Sequence, residues 1–207
     1  MKNVLSLEEF KALMSAGAQR VRDNVDMLTK IDGRFGDGDH GITMGKVAAA
    51  IIAGAEGSSI GEYCDALGME MMCINGGSAS SLWGTLFMGF ASAETGAEID
   101  AEGFKRLLAG GVAELCGVST ARVGDKTMMD ALIPAAEAAE RAEPELEAVL
   151  RAASDAAAAG REKSRGMVAR FGRAKSYGEE TIGTPDAGAV SAALFLEGLL
   201  DGYLKLK

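Results

Sequence analysis

The chain has 207 residues, 48% hydrophobic and 25% charged, with a formal net charge of -9. That size fits a single domain, residues 1–207, built on one substantial core, and the balance excludes a disordered chain. The acidic excess without any Lys/Arg cluster argues against a nucleic-acid surface; the lack of an apolar run near roughly 18 residues argues against a membrane span, so a cytoplasmic protein is expected.

Ser6 and Glu9 form a capping box, and Leu7, Phe10, Met14, Val21, Val25 and Leu28 then recur at helical spacing, predicting one helix up to a glycine-rich loop. A second helix is expected from His40 with Met44, Val47 and Ile51. A third follows the box Ser59 to Glu62 and runs through Ile74, and a fourth covers Ala79 to Ala93. Asp100 caps a fifth; a sixth runs from Lys126 to Arg141 and contains Pro134, expected to kink it. Pro144 reads as a first-turn proline of a seventh, alanine-rich helix reaching Arg170, and the eighth spans Asp186 to Leu204. Eight helices and no strand predict an all-α bundle. The three cysteines, Cys64, Cys73 and Cys116, lack paired spacing and lie in apolar helical patterns, so they are expected to be reduced core residues.

The joints between these helices carry the unusual chemistry. The stretch from Ile31 to Gly41, IDGRFGDGDHG, places Asp32, Asp37, Asp39 and the chain's one histidine among four glycines. Carboxylates so crowded repel one another unless a cation sits between them. An EF-hand starting at Asp37 would need Gly and Glu where Ile42 and Ala48 stand, whereas oxygen-only ligands on a tight loop suit Mg²⁺ completed by phosphate oxygens. The loop runs into a helix whose first free N–H groups, around His40, Gly41, Ile42 and Thr43, form an anion site. GITMGK is one residue short of a P-loop and has Val47 in place of its Ser/Thr. At this point a phosphate and Mg²⁺ site and a solvated structural turn both stand.

His40 can serve as base or phosphocarrier, or as a hydrogen-bonding partner that orients the aspartates or touches a phosphate; the second reading is preferred, since no nucleophilic triad accompanies it. GGSASSLWGT, residues 76–85, is small enough for a flat ligand or another backbone to approach closely. GDKTMMD, residues 124–130, offers methionines that could line an adenine pocket. GRAKSYGEETIGTPDAGA, residues 172–189, offers Arg173 for phosphate oxygens and Asp186 as the cap of the last helix.

Together and in this order, these four segments resemble the L subunit, or nucleotide-binding domain, of dihydroxyacetone kinases along nearly the whole chain. The resemblance implies a barrel of eight antiparallel helices with the nucleotide at one end. It makes Asp32, Asp37 and Asp39 the Mg²⁺ ligands, His40 to Thr43 phosphate-binding, and Ser78, Ala79, Met128, Arg173, Asp186, Ala187 and Gly188 the surroundings of ADP or ATP. Arg173 is the candidate catalytic residue. The chain departs from the family at Ser80-Ser81, usually Gly-Pro, and at Ala187, often Pro. The nucleotide domain of fatty-acid kinases is a more distant likeness, typically with Thr where His40 stands.

The implied activity is phosphoryl transfer to a hydroxyl of a short keto-sugar, dihydroxyacetone or a relative such as erythrulose. In the family a K-type partner subunit holds the sugar covalently on a histidine, and the chain's one histidine already lies in the aspartate loop. The expected partners are that K-type subunit, an M-type phosphoryl donor of the phosphotransferase system where ADP stays bound, and, as a further option, a second copy of the chain. The rival reading is a non-catalytic nucleotide-binding regulator.

Overall fold

The computed structural model describes residues 2–206, among which nine α-helices and one two-stranded sheet are found. β1 (Val4–Ser6) leads into α1 (Leu7–Arg22), and the Ser6 hydroxyl accepts from the Glu9 N–H while the Glu9 carboxylate accepts from the Ser6 N–H. β2 (Glu98–Asp100) leads in the same way into α6 (Ala101–Val118), where Asp100 accepts from the Gly103 N–H. The two strands pair antiparallel with Leu5 opposite Ile99, both buried. Three residues are too few for alternation to register, so these strands correct the expectation of none.

The first predicted helix is two, α1 and α2 (Val25–Asp32). The apolar spacing runs unbroken through Val21, Val25 and Leu28, but Asp23 and Asn24 favour local side-chain bonds over helix, and the Asn24 amide donates to the Arg20 carbonyl at 2.8 Å. α3 (His40–Ala53), α4 (Ile60–Met72) and α5 (Gly77–Ala93) follow closely where expected. α7 (Met129–Arg141) starts three residues later than predicted and accommodates Pro134 in its interior; Lys126 to Met128 form the turn before it. Pro144 lies outside α8 (Leu146–Lys163), which ends in a short 3₁₀ turn at Ser164–Gly166, not at Arg170. α9 (Ala187–Leu206) closes the chain, and Arg173–Thr181 before it is 3₁₀ helix interrupted at Gly178.

The helices form a closed ring. α1 packs on α3, α3 on α4 and α5, α5 on α6, and so on through α7 and α8 to α9, which returns to α1. Phe10, Leu13, Tyr63, Trp83, Phe87, Phe104 and Phe195 fill its interior, each buried large apolar side chain contributing about 1.5–3 kcal/mol. Trp83 and Phe87 meet Phe195 of α9 edge-on, at 5.2 and 6.2 Å between ring centres.

Two expectations are corrected here. Cys64 is buried, but Cys73 at the end of α4 and Cys116 on the outer face of α6 are exposed. Among the described residues α9 is long and apolar enough to cross a membrane by length and composition, yet 78% of its most apolar window is buried in the barrel, as befits the core helix that closes the ring.

Candidate functional site

One end of the barrel opens into a cavity of about 420 Å³, where the N-termini of α3, α5 and α9 converge with the end of α2 and the turn before α7. Three helix N-termini bring positive dipole ends to that space, and α5 has no side-chain cap.

Asp32 is the last residue of α2, and Asp37 and Asp39 stand on the loop leading to α3. One carboxylate oxygen from each lies within 4.8 Å of the others, an oxygen-only set that fits a hard divalent cation. Gly36 faces Asp32 so closely that a Cβ there would overlap its carboxylate, which accepts from the His40 N–H at 3.3 Å. Partial desolvation, then repulsion from Asp37 and Asp32, pushes the Asp39 carboxyl above its usual range, with Arg173 opposing. Asp37 pairs with the Arg173 guanidinium at 2.8 Å. Phe35 packs on Tyr177 with 5.3 Å between ring centres, so the acidic loop and the 3₁₀ segment meet at a second point besides this pair.

His40 joins α3 to α9: its Nε2 lies 3.1 Å from Ser191 Oγ, which itself donates to the Gly188 carbonyl. Burial holds the imidazole below its ordinary pKa against the pull of Asp32 and the Ala187 backbone. The contact with Ser191 suits an orienting role.

Of the residues singled out from the sequence, Asp32, Asp37, Asp39, His40, Ser78, Ala79, Met128, Arg173, Asp186, Ala187 and Gly188 all line this cavity. Gly41, Ile42 and Thr43 do not. Gly41 is a glycine because α3 crosses α2 there, and a Cβ would overlap the Val25 carbonyl and Thr29. Ile42 is exposed, and Thr43 is buried with its hydroxyl donating to the Gly76 carbonyl at 3.2 Å. The lining also includes Leu82, Trp83, Lys126 and Phe171, which sequence reasoning passed over. Leu82 and Trp83 lie three and four residues after Ala79, so their helical spacing from it was an available signal.

Asp186 precedes α9 and caps it, accepting from the Ala189 N–H at 2.7 Å. Burial nevertheless pushes its carboxyl from 3.8 up to about 7, with Asp130 adding to the rise and Lys126 opposing it. Between those two pH values the folded state binds the extra proton, so this group costs stability as pH rises and the cost is complete above about 7. Asp186→Asn, which can still cap, is therefore expected to stabilise the protein by about 1 kcal/mol or more at pH 8 and by nothing at pH 4. Denaturant unfolding at both pH values checks this, and a pH-independent difference would refute the shift.

The sequence model of the DAK2 domain matches residues 34–201. The ADP-binding subunit DhaL of PEP-dependent dihydroxyacetone kinase 1 from Listeria innocua is 30% identical over 185 residues, covering 88% of this chain and 89% of the relative. The ADP-binding subunit DhaL of the PEP-dependent kinase from Escherichia coli K12 is 31% identical over 182 residues, 84% of this chain and 86% of the relative. D-erythrulose kinase of Mycolicibacterium smegmatis is 34% identical over 90% of this chain, which spans only 34% of that relative. Among solved structures, the dihydroxyacetone kinase of C. freundii in complex with AMP-PNP and Mg²⁺ matches with a TM-score of 0.70 and 22% identity, over 92% of this chain and 33% of that one. At that identity the likeness speaks for the fold. A domain match over most of the chain, together with a relative 30% identical along most of both lengths, establishes that the chain belongs to the DAK2 domain family.

Proposed function

We propose that the chain is the ADP/ATP–Mg²⁺-binding subunit of a kinase for dihydroxyacetone or a similar short keto-sugar. The observation that carries this is the convergence of three carboxylates, an arginine and three helix N-termini on one cavity. Acid alone would repel a nucleotide. Carboxylates able to hold a divalent cation, beside N–H groups able to hold anions, accept one.

In this reading Asp32, Asp37 and Asp39 hold Mg²⁺, which when bound neutralises and orients nucleotide phosphates for in-line transfer. The N–H groups at the start of α5, at Gly77 and Ser78, face the phosphates, and Arg173 offers its guanidinium to the transferred charge. Met128, Ala79 and Leu82 give the base an apolar wall, and Gly188 keeps the wall open beside Met128. His40 holds α3 against α9 through Ser191. No general base is assigned among these groups, and in this reading the partner supplies one where the reaction needs it.

The proposed partners are a K-type subunit carrying the sugar and an M-type donor of the phosphotransferase system that recharges bound ADP. Relatives of subunit length that are named PEP-dependent and ADP-binding favour this version. Such chemistry suits the cytoplasm. The higher identity to an erythrulose kinase favours a second reading, in which the sugar is erythrulose and ATP exchanges freely.

Native mass spectrometry before and after EDTA dialysis tests the proposal. Retained ADP with EDTA-labile magnesium is expected; an empty protein that binds ATP only with added Mg²⁺ would move the assignment to the exchanging version. Failure to bind either nucleotide would overturn it.

A further inference from the structure

Lys126 is 5% exposed and holds a backbone conformation that side-chain-bearing residues avoid, with φ at +61°. Its Nζ lies 2.8 Å from the Ser164 carbonyl, 3.0 Å from Met167, 2.9 Å from Thr181 and 2.6 Å from Thr184. An ammonium has three protons to share among these four acceptors, so the cage is that of a cation rather than of a neutral amine. Burial pulls the Lys126 pKa down, while the Asp186 and Asp130 carboxylates oppose it.

The four carbonyls come from both ends of one excursion of the chain. Ser164 and Met167 lie just after α8, and Thr181 and Thr184 just before α9; the residues between carry Phe171 and Arg173 to the cavity wall and Tyr177 to Phe35 of the acidic loop. Further bonds close the same base: the Arg170 N–H donates to Asp125, Gly183 to Arg165, Asp186 to the Ser164 hydroxyl and Ala169 to the Thr181 hydroxyl. On the other side, Asp130 accepts from the Gly124 and Thr127 N–H groups at 2.6 and 2.7 Å, fixing the turn that bears Lys126 and Met128.

From this geometry we infer that Lys126 is a positioning residue of the nucleotide site. It is a tethered cation that gathers both ends of residues 164–184 and thereby sets where Arg173, Asp186 and Met128 stand around the ligand. This rests on the nucleotide reading of the cavity. A wall left to sample many arrangements would have to be ordered by the ligand at the expense of affinity; pinned at its base, it is already formed.

The test compares wild type, Lys126→Met and Lys126→Ala by calorimetry with Mg²⁺–ADP and by amide hydrogen exchange. Lys126→Met is expected to bind at least about tenfold more weakly. Protection should be lost across residues 164–186 and kept in α1, α3 and α5. Lys126→Ala lacks a fragment equal to n-propylammonium, and millimolar n-propylammonium should restore its affinity where tetramethylammonium at equal ionic strength does not. Unchanged affinity despite lost protection would overturn the inference, as would loss of protection throughout the barrel or absence of rescue. Should neither variant fold, the wild type decides: the amides of Arg170, Gly183 and Asp186 must exchange as slowly as the core of α1, and faster local opening there refutes the clamp. Failure of the wild type to bind Mg²⁺–ADP would refute the nucleotide reading itself.

Discussion

Replacing Asp37 by asparagine is expected to weaken Mg²⁺–ADP binding at least about a hundredfold, ~2.7 kcal/mol, while moving the melting temperature by no more than a few degrees. A unit charge about 4 Å from another at an effective dielectric near 20 is worth about 4 kcal/mol, and a divalent ion doubles it; solvent at the cavity mouth takes part of this back. The fold loses far less. The Asp37–Arg173 pair is exposed at both ends, so its removal costs about 0.2–1 kcal/mol, and the same change relieves repulsion on Asp39. Calorimetry with and without Mg²⁺, beside a melting curve, separates the two effects. Equal affinity in the variant would return the aspartate loop to a solvated turn.

Arg173→Ala is expected to lower phosphoryl-transfer turnover with the proposed K-type partner by about a hundredfold or more, the scale seen when one preorganised donor to developing charge is removed. In the structure the guanidinium is 73% exposed, and among the described residues Asp37 is its one charged partner at salt-bridge distance. A cation shared by the three aspartates weakens that anchor and leaves the arginine available to phosphate oxygens. Steady-state kinetics decide its role. A fall in kcat marks stabilisation of the transferred charge, whereas a rise in KM alone would reduce Arg173 to a binder of ground-state phosphate.

Much of the barrel is legible in the residues because each helix carries one apolar stripe: Met44, Val47 and Ile51 in α3, or Phe104, Leu107, Leu108 and Leu115 in α6, are all buried. The break between α1 and α2 is not, since Val25 and Leu28 continue the stripe across it and only the polar pair Asp23 and Asn24 marks the interruption. Asp32, Asp37 and Asp39 announce themselves as charges crowded among glycines. Thr43 and Ile42 follow the same loop but face elsewhere, because the packing of α3 on α2 at Gly41 sets the helix rotation and no local pattern encodes it. Lys126 stays hidden for a different reason. Its partners are four backbone carbonyls from distant positions, which no side-chain pattern can reveal.

The ring closes through its last helix, and that has a consequence for synthesis on the ribosome. α9 buries most of its length, and its neighbours are the first helix, α1, and the penultimate one, α8. Until residues 187–206 have been made, α1 presents Leu13, Gly17 and Ala18 without the helix that covers Gly17, and the N-terminal side of the site lacks Asp186's helix and Ser191. The nascent chain therefore holds an open barrel with exposed apolar surface until α9 has been made, a state in which chains associate wrongly. Barrel closure and completion of the ligand cavity arrive together with residues 187–206, so a product truncated before them would lose both at once.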